Sequence, residues 1–239
     1  MTTHATHLDE IKDQGIILSR KLIREDDVLI HVLSRHFGQL LLYAHHGAIS
    51  KRRFPNSCEI LRHVQFYAKK SHNDFWTLQE ITTLNYFKEL SQQYGRYVIA
   101  TRALSLIKKM VPLEYPSERL YILLGGFLQF LTQTPTPELT WVAFEIKVVQ
   151  EAGLFSLNLV QKAISEHRLR LSGEEITRVQ MFLNSKNQHW IFSRPKEEMA
   201  VLQKLEVLMR RIREDYNLLP RGLMNLKVTG MTPPLEKIQ

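Results

Sequence analysis

Seven cations face a single acid between Arg35 and Asn73: Arg35, Lys51, Arg52, Arg53, Arg62, Lys69 and Lys70 against Glu59. Cations at that density neutralise phosphates, and the run Lys51-Arg52-Arg53 puts three long side chains where they can reach successive phosphates of one strand. His36, His45, His46, His63 and His72 add hydrogen-bonding capacity. Tyr43, Phe54, Phe66 and Tyr67 are interleaved with them, and Tyr43 and Phe54 are the candidates for base stacking. The chemistry is backbone-directed grip on a nucleic acid; a charged loop that only aids solubility is the competing reading. A second basic cluster, Arg210, Arg211, Arg213 and Arg221 with Lys227, lies at and beyond the end of the last helical pattern. Cations near a helix C-terminus are stabilising in themselves. The cluster is a candidate secondary site for an anion or for the acidic tail of a protein partner.

Signatures of enzymatic chemistry do not occur. There is no Gly-x-Gly-x-x-Gly, no Gly-x-Ser-x-Gly and no His-Glu-x-x-His, so neither a catalytic residue nor a cofactor is expected. Gly47-Ala48-Ile49-Ser50-Lys51 lacks the Gly-Lys-Ser/Thr ending that holds phosphate and magnesium. Asp26 and Asp27 read as a solvated turn whose side chains point apart. Pleat alternation would send His45 and His46 to opposite faces, so no metal site is expected there. Cys58 is the single cysteine, which excludes an intramolecular disulfide and reads as an ordinary unpaired thiol. Gly125-Gly126 reads as a close helix contact or a kink.

The 239 residues, 44% hydrophobic and 23% charged, suffice to bury a sizeable core. A net charge of +8 points to an anionic partner without separating DNA from RNA or an acidic membrane surface. Met1 to Gln14 carries His4, His7, Asp9, Glu10, Lys12 and Asp13 and no apolar run like that of a signal peptide. Leu120 to Leu131 is the longest apolar stretch, and it falls short of the roughly 20 residues of a membrane span. A non-membrane, reducing, cytoplasmic setting is expected.

The elements that must carry these residues follow from a change of period. Up to residue 85 the rhythm is two, giving strands at Gly15 to Ile23, Val28 to Ser34, Leu40 to His46, Leu61 to Lys70 and Phe75 to Leu84. Five short strands with a longer connection from Gly47 to Ile60 suit a small closed barrel such as the OB-fold, which hides its edges. Beyond Tyr86 the period becomes helical. Tyr97, Ala100, Leu104, Ile107 and Val111 line one face of a helix that stops at Pro112. Further helices are expected at Ser117 to Thr132, Glu138 to Ala152 and Leu157 to Glu166, then from a Ser172–Glu175 capping box to Leu183, and from Pro195 onward. The class is α+β: a five-stranded barrel in residues 1–85 packed on an all-helical domain in residues 86–239.

This order of parts resembles the RecO family of bacterial recombination mediators, an N-terminal OB barrel followed by a helical domain. The likeness runs through Gly15-Ile16-Ile17-Leu18, Arg24 to Ser34, His36-Phe37-Gly38-Gln39-Leu40, and Gly47-Ala48 with Lys51-Arg52-Arg53. It resumes at Phe144 to Leu154, similar to that family's helix ending in a Leu-Gly-Phe type turn. Many members carry two Cys-x-x-Cys pairs after that turn, whereas Ser156 to Leu171 is short and cysteine-free, so no zinc finger is expected. The resemblance implies a non-enzymatic, cytoplasmic, nucleoid-associated bacterial protein of DNA repair and recombination. Such a protein binds single- and double-stranded DNA and anneals complementary strands. It acts with RecR to load recombinase on strands coated by single-strand binding protein. Lys51, Arg52 and Arg53 are the principal expected phosphate contacts, with Arg35, Arg62, Lys69 and Lys70 supporting them. A protein–protein adaptor centred on the helical domain and an RNA-binding OB protein are the alternatives.

Overall fold

The structure, a computed structural model, describes residues 9–50, 54, 58–71, 75–134, 137–185 and 195–218. Five strands come first: β1 (Glu10–Leu22), β2 (Val28–Ser34), β3 (Gly38–Ala44), β4 (Arg62–Lys70) and β5 (Trp76–Tyr86). They close into a barrel in the order β1-β2-β3-β5-β4, the OB-fold arrangement expected from the sequence. All pairings are antiparallel except β3 with β5, which is parallel at Leu42–Trp76 and Tyr43–Thr77. Closure depends on β1, which pairs β4 over Glu10–Ile16 and β2 over Gly15–Leu22, with a register shift between Ile17 and Ser19. Its first five residues are charged or polar apart from Ile11. That is why the periodicity places the strand's start at Gly15 and the structure places it at Glu10.

Alternation along these strands feeds two cores. Val28, Ile30, Val32, Leu40, Leu42, Val64, Phe66 and Leu78 fill the barrel. Ile16, Leu18 and Leu33 point the other way, into one cluster with the helices. Those helices are α1 (Lys88–Gln92), α2 (Tyr94–Met110), α3 (Glu118–Leu131), α4 (Pro137–Glu151), α5 (Leu157–Ser165), α6 (Gly173–Asn184) and α7 (Pro195–Asp215). The capping box forms in both directions, Ser172 accepting from the Glu175 amide and Glu175 accepting from the Ser172 amide. On α2 the buried face is wider than the stripe expected. Ile99, Ala103 and Leu106 are buried as well, and Tyr97 is 37% exposed. The cause is position: α2 lies between β1 on one side and α3 and α4 on the others. No helix among the described residues is long and apolar enough to cross a membrane.

Candidate nucleic-acid interface

Helices α2 and α3 pack on β1 and β2, Leu113 and Glu114 lie along Gln39 at the start of β3, and His63 of β4 meets Tyr121 of α3, so the outer face left open is the part of β3, β5 and β4 around Tyr43, Thr77 and Lys69. Register aligns Leu29, Tyr43, Thr77, Lys69 and Glu10 across β2, β3, β5, β4 and β1, so these side chains stand in one row on the outside. Tyr67, two residues before Lys69 on β4, faces the same way, with Lys69 Nζ 5.5 Å from its ring. Lys69 Nζ also donates to Glu10 Oε1 at 2.5 Å, and Tyr67 Oη donates to Glu10 Oε2 at 2.6 Å. The hydrogen bond to Glu10 raises the Lys69 pKa, and the one from Lys69 lowers that of Glu10, so both stay charged. The pair is solvent-exposed and weakened by water, so a phosphate can compete for the ammonium. Lys70 is on the other side of the pleat, paired with the core residue Trp76 at the barrel rim, its Nζ 5.5 Å from that ring.

Beside this row, one carboxylate ties the root of the basic loop to the barrel. Asp27, 5% exposed, accepts from the Tyr43 hydroxyl, from the His46 amide at 2.9 Å and from His45 Nδ1 at 2.9 Å. The Tyr43 hydrogen bond, aided by that amide, holds the Asp27 pKa down at about 2, and the same bond raises that of Tyr43. The Ala48 amide donates to the Asp26 carbonyl at 2.9 Å, so the loop starts against the β1–β2 hairpin and its exposed Arg24.

These contacts correct two expectations. Asp27 is a buried organiser and not part of a solvated turn. His45 and His46 do not point to opposite faces: β3 ends at Ala44, and His46 takes a left-handed conformation with φ of 53°, which ends the pleat and leaves the ring centroids 4.0 Å apart. Among the described residues, Asp27, His45 and His46 offer a group of possible ligand atoms within 4.8 Å of one another.

The remaining candidates are dispersed. Lys51, Arg52, Arg53 and Arg221 lie outside the described residues. Phe54 is 2% exposed in the barrel core with Cys58. It is a plug and not a stacking surface, because its apolar ring gains more from burial than from water contact. Phe66 is likewise inside, so Tyr43 and Tyr67 are the outward aromatics of the four. Arg62 starts β4, about 23 Å along the strand from Lys69, with its guanidinium 4.2 Å from the Tyr86 ring. Arg35, at the β2–β3 turn, donates through Nε to Glu118 at 3.0 Å. Arg210 and Arg211 are exposed on α7. Arg213 is withdrawn from the second cluster: its side chain is 11% exposed and forms ion pairs with Glu145 and Glu206. It is a candidate by its place among arginines in the sequence, but on α7 it points inward, toward Glu145 of α4. Burial of Cys58 pushes its thiol up to about 11, which leaves it unreactive.

Sequence reasoning missed Asp27 and a second buried acid, Asp13. Asp13 accepts from Ser34 Oγ, from the His36 amide at 2.9 Å and from His36 Nδ1 at 2.9 Å, fixing the β2–β3 turn. Burial opposes its ionisation, yet these bonds hold its pKa below the usual carboxylate range. No local pattern marks either residue, since the partners are 16 to 23 positions away.

Comparison with known proteins separates the same two parts. Residues 8–87 match the family described as Recombination protein O N terminal, and residues 91–187 match Recombination protein O C terminal. The chain is 26% identical over 154 residues to a DNA repair protein RecO of Syntrophus aciditrophicus (strain SB), covering 64% of this chain and 58% of that protein. It is 26% identical over 148 residues to one of Anaeromyxobacter sp. (strain K), covering 62% and 58%. It is 24% identical over 144 residues to one of Listeria monocytogenes serotype 4b (strain CLIP80459), covering 60% and 56%. The matched stretch thus spans a little under three fifths of the length of these relatives. With both family halves matched in order across an OB barrel and the helices that follow it, the chain belongs to the RecO family of DNA repair and recombination proteins.

Proposed function

We propose that this chain binds single- and double-stranded DNA through the phosphate backbone and, without catalytic turnover, promotes annealing of complementary strands. The observation that carries the reading is the open part of the β3-β5-β4 face, where Tyr43, Tyr67 and Lys69 stand together, with Lys70 at the barrel rim behind them, on the barrel to which the described root of the basic loop is tied. Cations of this kind neutralise two approaching backbones without reading bases, which leaves strands free to search for register, while the outward rings give bases a surface to stack on. Lys51, Arg52 and Arg53 are the principal contacts in this proposal, supported by Lys69 and Lys70, with Arg35 and Arg62 as outlying contacts on other parts of the barrel.

In the same proposal the protein helps load recombinase on strands coated by single-strand binding protein, acting with RecR close to the nucleoid. Val207, Arg210 and Arg211, spaced to share an exposed face of α7, favour docking of an acidic, apolar-tipped protein tail there. Replacement of Lys51, Arg52 and Arg53 by alanine tests the DNA contact. The salt dependence of duplex binding should flatten by up to about 2.7 log units per log unit of salt, and annealing should slow. An unchanged slope removes the loop from the interface.

A further inference from the structure

We propose that Asp27, His45 and His46 form a binding site for one divalent transition-metal ion of the zinc class, at the junction between the β1–β2 hairpin and the root of the basic loop. Two imidazoles and a carboxylate are a donor set suited to Zn2+ or Co2+ and poorly suited to Mg2+, which prefers an all-oxygen shell. The possible ligand atoms lie within 4.8 Å of one another. Around an ion with bonds of about 2.0–2.1 Å, tetrahedral donors stand about 3.3 Å apart, so the set must contract by roughly 1.5 Å. Rotation of the two rings supplies that movement, since the His45 and His46 side chains are 55% and 56% exposed and touch mainly each other and the Tyr43 ring.

The backbone beneath them is already in place. The His46 amide is bonded to Asp27, the Ser50 amide to the His46 carbonyl at 3.1 Å and the Ala48 amide to the Asp26 carbonyl at 2.9 Å. The conformational cost that usually weakens a loop-borne site is therefore met before the ion arrives. Asp27 keeps its bonds from Tyr43 and the His46 amide, because a carboxylate has about four lone-pair sites. Asp26 Oδ2, 3.7 Å from His46 Nδ1, is within reach as a fourth ligand, and water can complete the shell. The two aspartates balance the charge of the ion. Bound there, the ion would clamp the first turn of the basic loop to the hairpin and add positive charge beside the proposed phosphate track.

The test uses the full chain, freed of metal with a chelator and titrated with Co2+ while its visible absorption is recorded, followed by displacement with Zn2+ in a calorimeter. One saturable ion per chain is expected, with the His45 and His46 ring resonances shifting together. The double variant His45→Gln/His46→Asn retains a donor for Asp27 and a residue tolerant of the left-handed conformation. It should fold with the unfolding midpoint of the metal-free wild type and bind at least about tenfold more weakly. Absence of saturable binding to the wild type overturns the proposal. So does undiminished binding by the double variant, which would assign the ion to other donors such as His4 and His7.

Discussion

Replacing Arg213 with methionine separates a structural role from a DNA-binding one. Glu145 on α4 is fully buried and takes Arg213 Nε at 2.7 Å and Nη2 at 2.5 Å, while the more exposed Glu206 takes the same guanidinium at 2.6 and 2.8 Å. Without the guanidinium, Glu145 becomes a buried carboxylate stripped of its donors, a loss of about 3–5 kcal/mol. Arg102, held against the Trp141 ring at 5.0 Å and within electrostatic reach of both glutamates, relieves part of this. The lower end of the range, about 3 kcal/mol, is therefore expected, and it lowers the melting midpoint of a chain this size by about 6–12 °C.

Burial already raises the Glu145 pKa against the pull of Arg213, and its removal takes that pull away. A carboxyl with a raised folded pKa destabilises the fold at neutral pH and ceases to do so once protonated. The deficit in the variant should therefore shrink as pH falls from about 7 toward 5. Thermal unfolding followed by circular dichroism at both pH values reads the effect. Glu145→Met/Arg213→Met, which removes both charges, should recover most of the loss. In DNA-binding titrations Arg213→Met should keep the wild-type salt slope. A midpoint within about 1 °C of the wild type, or a slope reduced by about 0.9, would refute the assignment of this arginine to the interior.

Acid stability offers a second test. The folded pKa values of Asp13 and Asp27 lie below the ordinary aspartate value, so their contribution is complete above about pH 4 and is lost as pH falls through the folded values, about 2 for Asp27. Asp13→Asn should flatten that acid limb in urea-unfolding series, and an unchanged limb would mean that the β2–β3 turn does not depend on the carboxylate. Gly38→Ala should cost about 1–3 kcal/mol, because φ is +72° and an added methyl would run into the Tyr115 carbonyl. A wild-type urea midpoint in that variant would show that the turn relaxes freely.

Much of this fold is legible in the sequence because each element carries its own marker. Val28, Ile30 and Val32 alternate cleanly into the barrel, Pro112 follows the end of α2, and Ser172 with Glu175 caps α6. The candidate site is less legible, because direction and partner are long-range properties. Phe54 sits among cations in the chain yet plugs the barrel, and Arg213 sits among arginines yet pairs across 68 positions with Glu145. Periodicity assigns His45 and His46 to opposite faces only while the strand lasts, and the strand stops at Ala44, before either of them. The composition of the basic segment points to an anionic ligand. Only register across β3, β5 and β4 shows which of its members stand side by side.

Ile16, Leu18 and Leu33 belong to the barrel by backbone and to the helices by side chain. Cutting the chain after β5 would strip a greasy stripe bare, so the N-terminal barrel cannot be handled as a detachable reagent without clumping. Loosening the bundle should likewise blur the barrel wall opposite the proposed DNA track. The proposed partner docking at the helices and the proposed strand binding at the barrel therefore share a mechanical route.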